Sequence, residues 1–375
     1  MEWGPLHTLE LENFRNVESL KLAFHPRFNF FFGDNAQGKT SILEAIYFLS
    51  ELKSFRNADA SCLIRHQSPT ARLFAQLSSE GLSYDLKVEI TSDSKQVLLS
   101  GKTPRPYRRL RKMLPIVLFT PESVRLFRSA PSERRHYFDA LFALLSEGTA
   151  GDQAEYARGL RQKQTLLEQI REGGRGELRS QLAVWTERLA EWGARIVQER
   201  FRSTSKLERF FRPYFQRLSG GQWEGQLVYE PYFKLLFEGQ TLSQVQRILL
   251  EESFRREGEE LERAQVLVGP HRDDWGLYLS GMRLKEEGSQ GQHRISVAAL
   301  KLAEVELISE HQMTPLALFD DLLSELDEIR NRTVLEQLGE THCQIFLTSV
   351  TPGGVSLEGL KGNTYPVRRG RVEGV

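Results

Sequence analysis

The chain has 375 residues, with 50 basic side chains against 50 acidic ones and a formal net charge of zero. That length calls for two domains, or one with a large insertion, and the charge balance argues against a uniformly basic nucleic-acid coat protein, so any DNA-binding surface must be a local patch. Cys62 and Cys343 make neither a disulfide framework nor a zinc site, the longest apolar run, Ala140 to Leu145, is far short of a membrane span, and the start from Met1 to Pro5 lacks a secretory pattern; the expectation is a cytoplasmic protein with no membrane partner.

Leu9 to Phe14 alternates apolar and polar residues, as a half-buried strand does, and Val17 to Phe24 repeats that period after a turn at Asn16. Phe28-Asn-Phe-Phe-Phe32 is a compact apolar run that fits a strand buried on both faces. Ile42, Leu43, Ile46 and Leu49 then share one helical face. Between strand and helix stand Gly33, Asp34, Asn35, Ala36, Gln37, Gly38, Lys39 and Thr40, a match to the phosphate-loop pattern. The glycines let backbone N–H groups curl around a triphosphate, and the helix N-terminus adds a favourable dipole. Lys39 can reach the β- and γ-phosphates, and the Thr40 hydroxyl can hold Mg²⁺. A chance match in a glycine-rich loop is the alternative, and the flanking strand and helix argue against it.

Lys102 to Lys112 carries six basic residues in eleven, with Tyr107 able to stack on a base. A DNA-phosphate patch and a solvated basic loop are equally good readings. Arg134 and Arg135 open a helical stretch with Tyr137, Phe138 and Leu141. Ion pairing with Glu133 or Asp139 is the plain account, and a contact to DNA or to a second copy the sharper one. Leu178, Leu182, Trp185, Leu189, Trp192 and Ile196 form a heptad seam. Tyr156, Leu160, Leu167 and Ile170 fit the same period upstream, with Gly173 to Gly176 between, so an antiparallel helical hairpin of moderate length is expected. Leu218-Ser-Gly-Gly-Gln222 spells an ATPase signature but lies in a polar, loop-like stretch, and is read as a decoy. Gly288-Ser-Gln-Gly-Gln292 precedes a helical pattern at Ile295, Ala299 and Leu302, and there Ser289 and helix-opening N–H groups can bind a γ-phosphate. His271, Arg272, Asp273 and Asp274 read as a hydrogen-bonded anchor in preference to a metal or acid–base site. Pro315 to Asp321 is an apolar strand ending in two acids, where α/β folds present chemistry. Asp320 would hold Mg²⁺ through its water shell, and Asp321 would orient or deprotonate an attacking water.

Taken in order, these segments resemble the RecF family of bacterial recombination proteins, relatives of SMC proteins and ABC-type ATPases. The resemblance runs nearly end to end, through Asn13-Phe-Arg-Asn16, Gly33 to Thr40, Leu43-Glu-Ala-Ile46, Ser54-Phe-Arg56, Leu118 to Glu122, Pro131 to Arg135 with Asp139, Gly269 to Asp274, Ser289 to Gln292, Leu300 to Glu304, and Asp320-Asp321 with Ser324 to Asp327. It implies an α/β fold: an ABC/SMC-type P-loop ATPase head over residues 1–115 and 266–375, with an α-helical lobe inserted over 116–265. It implies ATP and Mg²⁺ as cofactors, Lys39 and Asp321 as catalytic residues, and Ser289 completing the site in trans in an ATP-dependent homodimer. It also implies binding to gapped DNA or junctions of single and double strands. Work with RecR and RecO to load RecA, and roles in replication restart and the SOS response, follow from it too. Turnover would be a weak, DNA-stimulated ATPase activity in which ATP acts as a gate. A non-hydrolysing ATP-gated scaffold, or the ATPase subunit of another complex, is the alternative. Arg15, just after the first strand, is a candidate ATP contact.

Three positions depart from the family pattern. No histidine follows Ile345 to Val350, so Thr348 or Ser349 would substitute as a weaker γ-phosphate partner. Ala36 stands where glycine is usual. His293-Arg294 replaces Gln-Arg, and His293 is expected to point to solvent.

Overall fold

A run such as Phe28 to Phe32 has no polar face, so it needs cover on both sides, which a parallel sheet inside a layered fold supplies. In the structure, a computed structural model that describes residues 4–56, 58–173, 176–350 and 361–373, this strand is the third of its sheet. Its single polar residue, Asn29, is fully buried and satisfied: its Oδ1 accepts from the His25 N–H and its Nδ2 donates to the His25 carbonyl, both at 2.8 Å.

The chain begins with a hairpin of β1 (Leu6–Phe14) and β2 (Val17–Ala23), in which Phe14 faces Val17 across the Arg15-Asn16 turn. β3 (Phe28–Phe32) feeds α1 (Lys39–Glu51), and α2 (Ala60–Leu63) follows. β4 (Ala71–Ser79), β5 (Leu82–Ile90) and β6 (Lys95–Leu99) meander before α3 (Arg108–Met113) and β7 (Ile116–Phe119). Then come α4 (Pro131–Leu145), α5 (Glu147–Arg171), α6 (Glu177–Leu218), β8 (Gly225–Glu230), α7 (Leu242–Arg255) and α8 (Glu257–Arg263). β9 (Asp274–Leu279), β10 (Met282–Arg283), α9 (Leu284–Glu287) and α10 (Gln290–Glu310) lead on to β11 (Leu316–Phe319). α11 (Leu322–Glu325), α12 (Glu328–Glu340), β12 (Gln344–Ser349), β13 (Gly362–Arg368) and β14 (Arg371–Val372) complete it.

The chain divides into two compact units, one of residues 1–124, 213–222 and 290–375, the other of 125–212 and 223–289. Residues 116–124 group with the first unit and 266–289 with the second, for a reason visible in strand pairing. β7 belongs to the first unit because it runs parallel to β11, while β9 belongs to the second because it pairs along β8.

The first unit holds two sheets. One is antiparallel, ordered β2-β1-β4-β5-β6; the other is ordered β14-β13-β3-β12-β11-β7 and is parallel except for β14. Each strand of the first sheet sends alternate residues, such as Leu73, Ala75 and Leu77 of β4, into a core shared with Ile42, Ile46 and Leu49 of α1 and with Phe31, Leu318 and Phe346 of the second sheet. α10 is buried nearly all round, from Ile295 to Ile308. His293, expected at solvent, is fully buried with it.

The second unit is mostly helical and also contains an antiparallel sheet, β10-β9-β8. Its helical hairpin joins Leu160, Leu167 and Ile170 of α5 to Leu178, Leu182 and Trp185 of α6, and Tyr156 to Leu189, Trp192 and Ile196. Gly174 and Arg175 of the expected turn lie outside the described residues. α6 outruns the heptad seam, continuing to Leu218 through buried polar residues including Arg200, Ser203 and Thr204.

Candidate nucleotide site

Parallel strands deliver all their C-terminal ends to one edge of a sheet. β3 ends in the phosphate loop, β11 in Asp320, β12 in Thr348 and Ser349, and β7 in Thr120. Because β12 pairs with β3 on one side and β11 on the other, 280 residues of sequence separation collapse to a hydrogen bond. The Thr40 hydroxyl donates to Asp320 Oδ1 at 3.0 Å.

The loop backbone takes the shape its glycines permit. Gly38, at φ 111°, caps α1, and Gly33, at φ 148°, has no room for a side chain because a Cβ there would sit 2.3 Å from the Val367 carbonyl oxygen. Ala36 occupies the left-handed region at φ 63°, so the position that departs from the family pattern tolerates its Cβ in that conformation. The Lys39 ammonium donates to the carbonyls of Gly33 and Asp34. Burial pulls Lys39 below the ordinary lysine range, against the attraction of Asp321, Asp320 and Asp34.

Asp320 is buried, and burial raises its carboxyl above the usual range while hydrogen bonds from Thr348 and Thr40 oppose the rise. Thr348 donates to Asp320 Oδ1 at 2.8 Å and accepts from the Asp321 N–H at 2.9 Å. Its one hydrogen is therefore committed to Asp320, and the γ-phosphate role expected for it gives way to a role in holding the acid pair. Asp321 itself has φ 54°, a left-handed conformation that turns it out of the strand direction into α11.

A cavity of about 1230 Å³ opens over these groups. Asn35, Ala36, Gln37, Gly38, Lys39 and Thr40 line it together with Asp320, Asp321 and Arg15. Gly33 and Asp34 serve from behind through their carbonyls. Ser289 precedes α10 and is not among the lining residues. Arg15 lines the cavity but its guanidinium is already engaged, donating to both oxygens of the fully buried Glu44 at 2.9 and 2.7 Å and to the Cys62 carbonyl at 2.8 Å. Arg56, Arg65, His66 and Glu122 also line the cavity. Sequence reasoning gave them no role, although Ser54 to Arg56 and Leu118 to Glu122 stood out as segments.

The donors fit a triphosphate and a hard divalent cation. Among the described residues no cluster of three or more His, Cys, Asp and Glu could hold a metal unaided. Thr40 and Asp320 offer one hydroxyl and one carboxylate, the small oxygen set with which Mg²⁺ is held alongside phosphates and water.

Other sequence candidates take structural roles. Residues 218–222 close the C-terminus of α6, with Gly220 and Gly221 at φ 61° and 72°, so this pentapeptide opens no helix and presents no helix-start N–H groups. Arg134, expected to pair with Glu133 or Asp139, instead makes a two-pronged contact with Asp274 at 2.7 and 2.6 Å. Asp139 pairs with Arg200. Burial alone would raise the Asp274 carboxyl, but the hydrogen bonds from Arg134 and the Trp275 N–H hold it below the ordinary range. Asp273 is buried and accepts from Tyr229, the Tyr232 N–H and Arg200. In the basic stretch, Arg111 pairs with Glu51 and Leu110 is buried, while Tyr107 is exposed. No helix among the described residues is long and apolar enough to cross a membrane.

The RecF/RecN/SMC N-terminal domain family matches residues 5–359. The chain is 33% identical over 373 residues to the DNA replication and repair protein RecF of Geotalea uraniireducens, covering 98% of this chain and 99% of that one. It is 32% identical over 367 residues to the protein of the same name from Bacillus cereus, with 97% of each covered. Among solved structures, that of the recombination mediator protein RecF with ATP superimposes with a TM-score of 0.86 at 27% identity, covering 98% of this chain and 97% of that one. An SMC head bound to a ScpA domain shares the fold, with a TM-score of 0.58 at 15% identity over 98% of this chain and 96% of that one.

Proposed function

The chain belongs to the RecF family, and from that premise we propose that it is an ATP-gated DNA-binding protein of recombinational repair and replication restart. ATP would lie along Gly33 to Thr40, with Lys39 at the β- and γ-phosphates and the helix α1 dipole favouring their charge. Bound Mg²⁺ would neutralise charge developing on the transferred phosphoryl group. Thr40 and Asp320 would hold it, and Asp321 would orient the attacking water or take its proton. The observation that carries this reading is the Thr40–Asp320 hydrogen bond at 3.0 Å, which joins the phosphate loop to the end of β11.

Two copies would close head to head, with Ser289 of each completing the other's nucleotide site. The dimer would hold gapped DNA or a junction of single and double strands, and turnover would release it. Commitment of the Thr348 hydroxyl to Asp320 and the Asp321 amide supports slow turnover, with ATP acting as a gate. RecR and RecO would act with it in loading RecA, and the SOS response belongs to the same reading.

Light scattering of the protein with Mg-ATP, with and without gapped DNA, tests it. The wild type is expected to dimerise with Mg-ATP. Ser289→Arg should still bind ATP and stay monomeric, and unchanged ATP-dependent dimerisation of that variant would remove the trans-site arrangement. Single-turnover hydrolysis with and without DNA separates a slow ATPase from a non-hydrolysing scaffold.

A further inference from the structure

The turn between β13 and β14 consists of Arg369 and Gly370, at φ 50° and 74°. Two successive left-handed residues make the tight turn that matches the twist of a two-residue hairpin. This turn is fastened to the phosphate loop. The Arg369 N–H donates to Gln37 Oε1 and the Gly370 N–H to the Gln37 carbonyl, both at 2.7 Å. Glycine is required here also by space, since a Cβ on Gly370 would lie 2.4 Å from the Asn16 carbonyl oxygen.

Beside that fastening lies a cleft of about 590 Å³, lined by Arg65, Arg368, Arg369 and Arg371 with Glu18 and Glu373. Four arginines against two glutamates leave an excess of two positive charges (4 − 2 = 2) on a chain whose total is zero. The internal pairs are long and exposed: Arg65–Glu18 at 3.4 Å, Arg368–Glu373 at 3.8 Å and Arg371–Glu18 at 4.0 Å. Pairs of this kind stabilise little, so an incoming anion displaces them at small cost. The side chains of Arg368 and Arg371 are both 76% exposed. That of Arg369 makes no hydrogen bond or ion pair among the described residues.

We propose that this cleft is a contact for the phosphodiester backbone of nucleic acid, set directly against the phosphate loop. The backbone N–H groups of the turn are spent on Gln37, so the cleft lacks the inward-pointing amides that cradle a single phosphate. What it offers is guanidinium groups from two separate chain segments, residue 65 and residues 368–371, spread along an open surface. That arrangement suits a polyanion running across it. Arg65 lines both this cleft and the nucleotide cavity, which makes the two neighbours. The proposal rests on the DNA-binding reading above and names a surface for it.

The test uses the full chain with Arg368→Glu and Arg371→Glu together, both at exposed positions, and the matching double Lys variant. Binding to gapped duplex DNA is measured by fluorescence anisotropy over a salt series in saturating Mg-ATP, and ATP affinity is measured separately without DNA. The double Glu variant should bind DNA at least about tenfold more weakly, with a salt slope shallower by about 1.8 for two lost phosphate contacts. The double Lys variant should keep the slope, and ATP affinity should stay unchanged in both. An unchanged affinity and slope in the Glu variant overturns the proposal while leaving DNA binding intact. An equal loss of ATP affinity without DNA also overturns it, assigning the cleft to the nucleotide. A wild type with no DNA binding at any salt removes the DNA reading itself, and the cleft's role with it.

Discussion

The Thr348 hydroxyl donates to Asp320 Oδ1 at 2.8 Å, at the same oxygen that receives the Thr40 hydroxyl at 3.0 Å. One carboxylate oxygen thus ties the phosphate loop, the end of β11 and the end of β12 together. Thr348→Val keeps the shape of the side chain and removes both its bonds. Loss of a hydrogen bond to a charged group should weaken Mg-ATP binding by ~2 kcal/mol, about thirtyfold. The same change removes an influence that lowers the Asp320 carboxyl, so its pKa rises further. Affinity that depends on the ionised carboxylate falls as pH drops through that pKa, and in the variant the fall should begin at higher pH. Calorimetric titration of Mg-ATP from pH 8 downward reads both effects; superimposable curves would refute the link.

Arg134 is 1% exposed and meets Asp274 with two hydrogen bonds. Arg134→Met removes both bonds and takes the guanidinium donor from the carbonyls of Phe127 and Ser129, while Asp274 keeps the Trp275 N–H and Arg283 at 3.5 Å. The cost should be about 3 kcal/mol, the lower end for breaking a buried pair, and adding Asp274→Leu should recover part of it. Four of the five tryptophans lie in the same compact unit as this pair, so urea unfolding followed by tryptophan fluorescence reports on it.

His271 supplies a pH signature. Its Nε2 lies 3.1 Å from the Val266 carbonyl oxygen, which can only accept, so Nε2 carries the hydrogen and Nδ1 accepts from the Tyr156 hydroxyl at 2.7 Å. Burial, with Arg272, Arg135 and Lys163 nearby, lowers its pKa to about 4 from an ordinary 6.5. The unfolded chain binds this proton first on acidification. The stability it contributes is therefore full above pH 6.5 and is lost progressively as pH falls from 6.5 towards 4, by up to ~3 kcal/mol. His271→Gln should show a smaller loss over that interval in urea unfolding. An equal loss in both proteins would assign the acid sensitivity elsewhere.

Local pattern made part of this molecule legible. The phosphate loop, the buried strand before it and the acid pair after Pro315 are short motifs whose chemistry is carried by adjacent residues. The α5–α6 seam was legible because its apolar residues recur at helical spacing. Partnerships made across the fold were not. Arg134 finds Asp274 at a separation of 140 residues, and Gln37 finds Arg369 at 332. No local spacing encodes either choice. His293 looked solvent-facing because a polar residue beside Arg294 usually is, but α10 has hardly any solvent face to offer. The length of α6 was hidden because Arg200, Ser203 and Thr204 interrupt the apolar spacing after Val197, which resumes only at Leu207, Phe211, Phe215 and Leu218.

Nucleotide on the phosphate loop gating DNA binding is the centre of this account, and Lys39→Met tests it most directly. Equilibrium ATP binding and retention on gapped DNA should be measured for wild type and variant, with and without Mg-ATP. The variant should lose ATP binding and ATP-dependent DNA retention together, while its nucleotide-free DNA binding matches the wild type. A variant that keeps normal ATP affinity, or that still shows ATP-dependent retention, would contradict it.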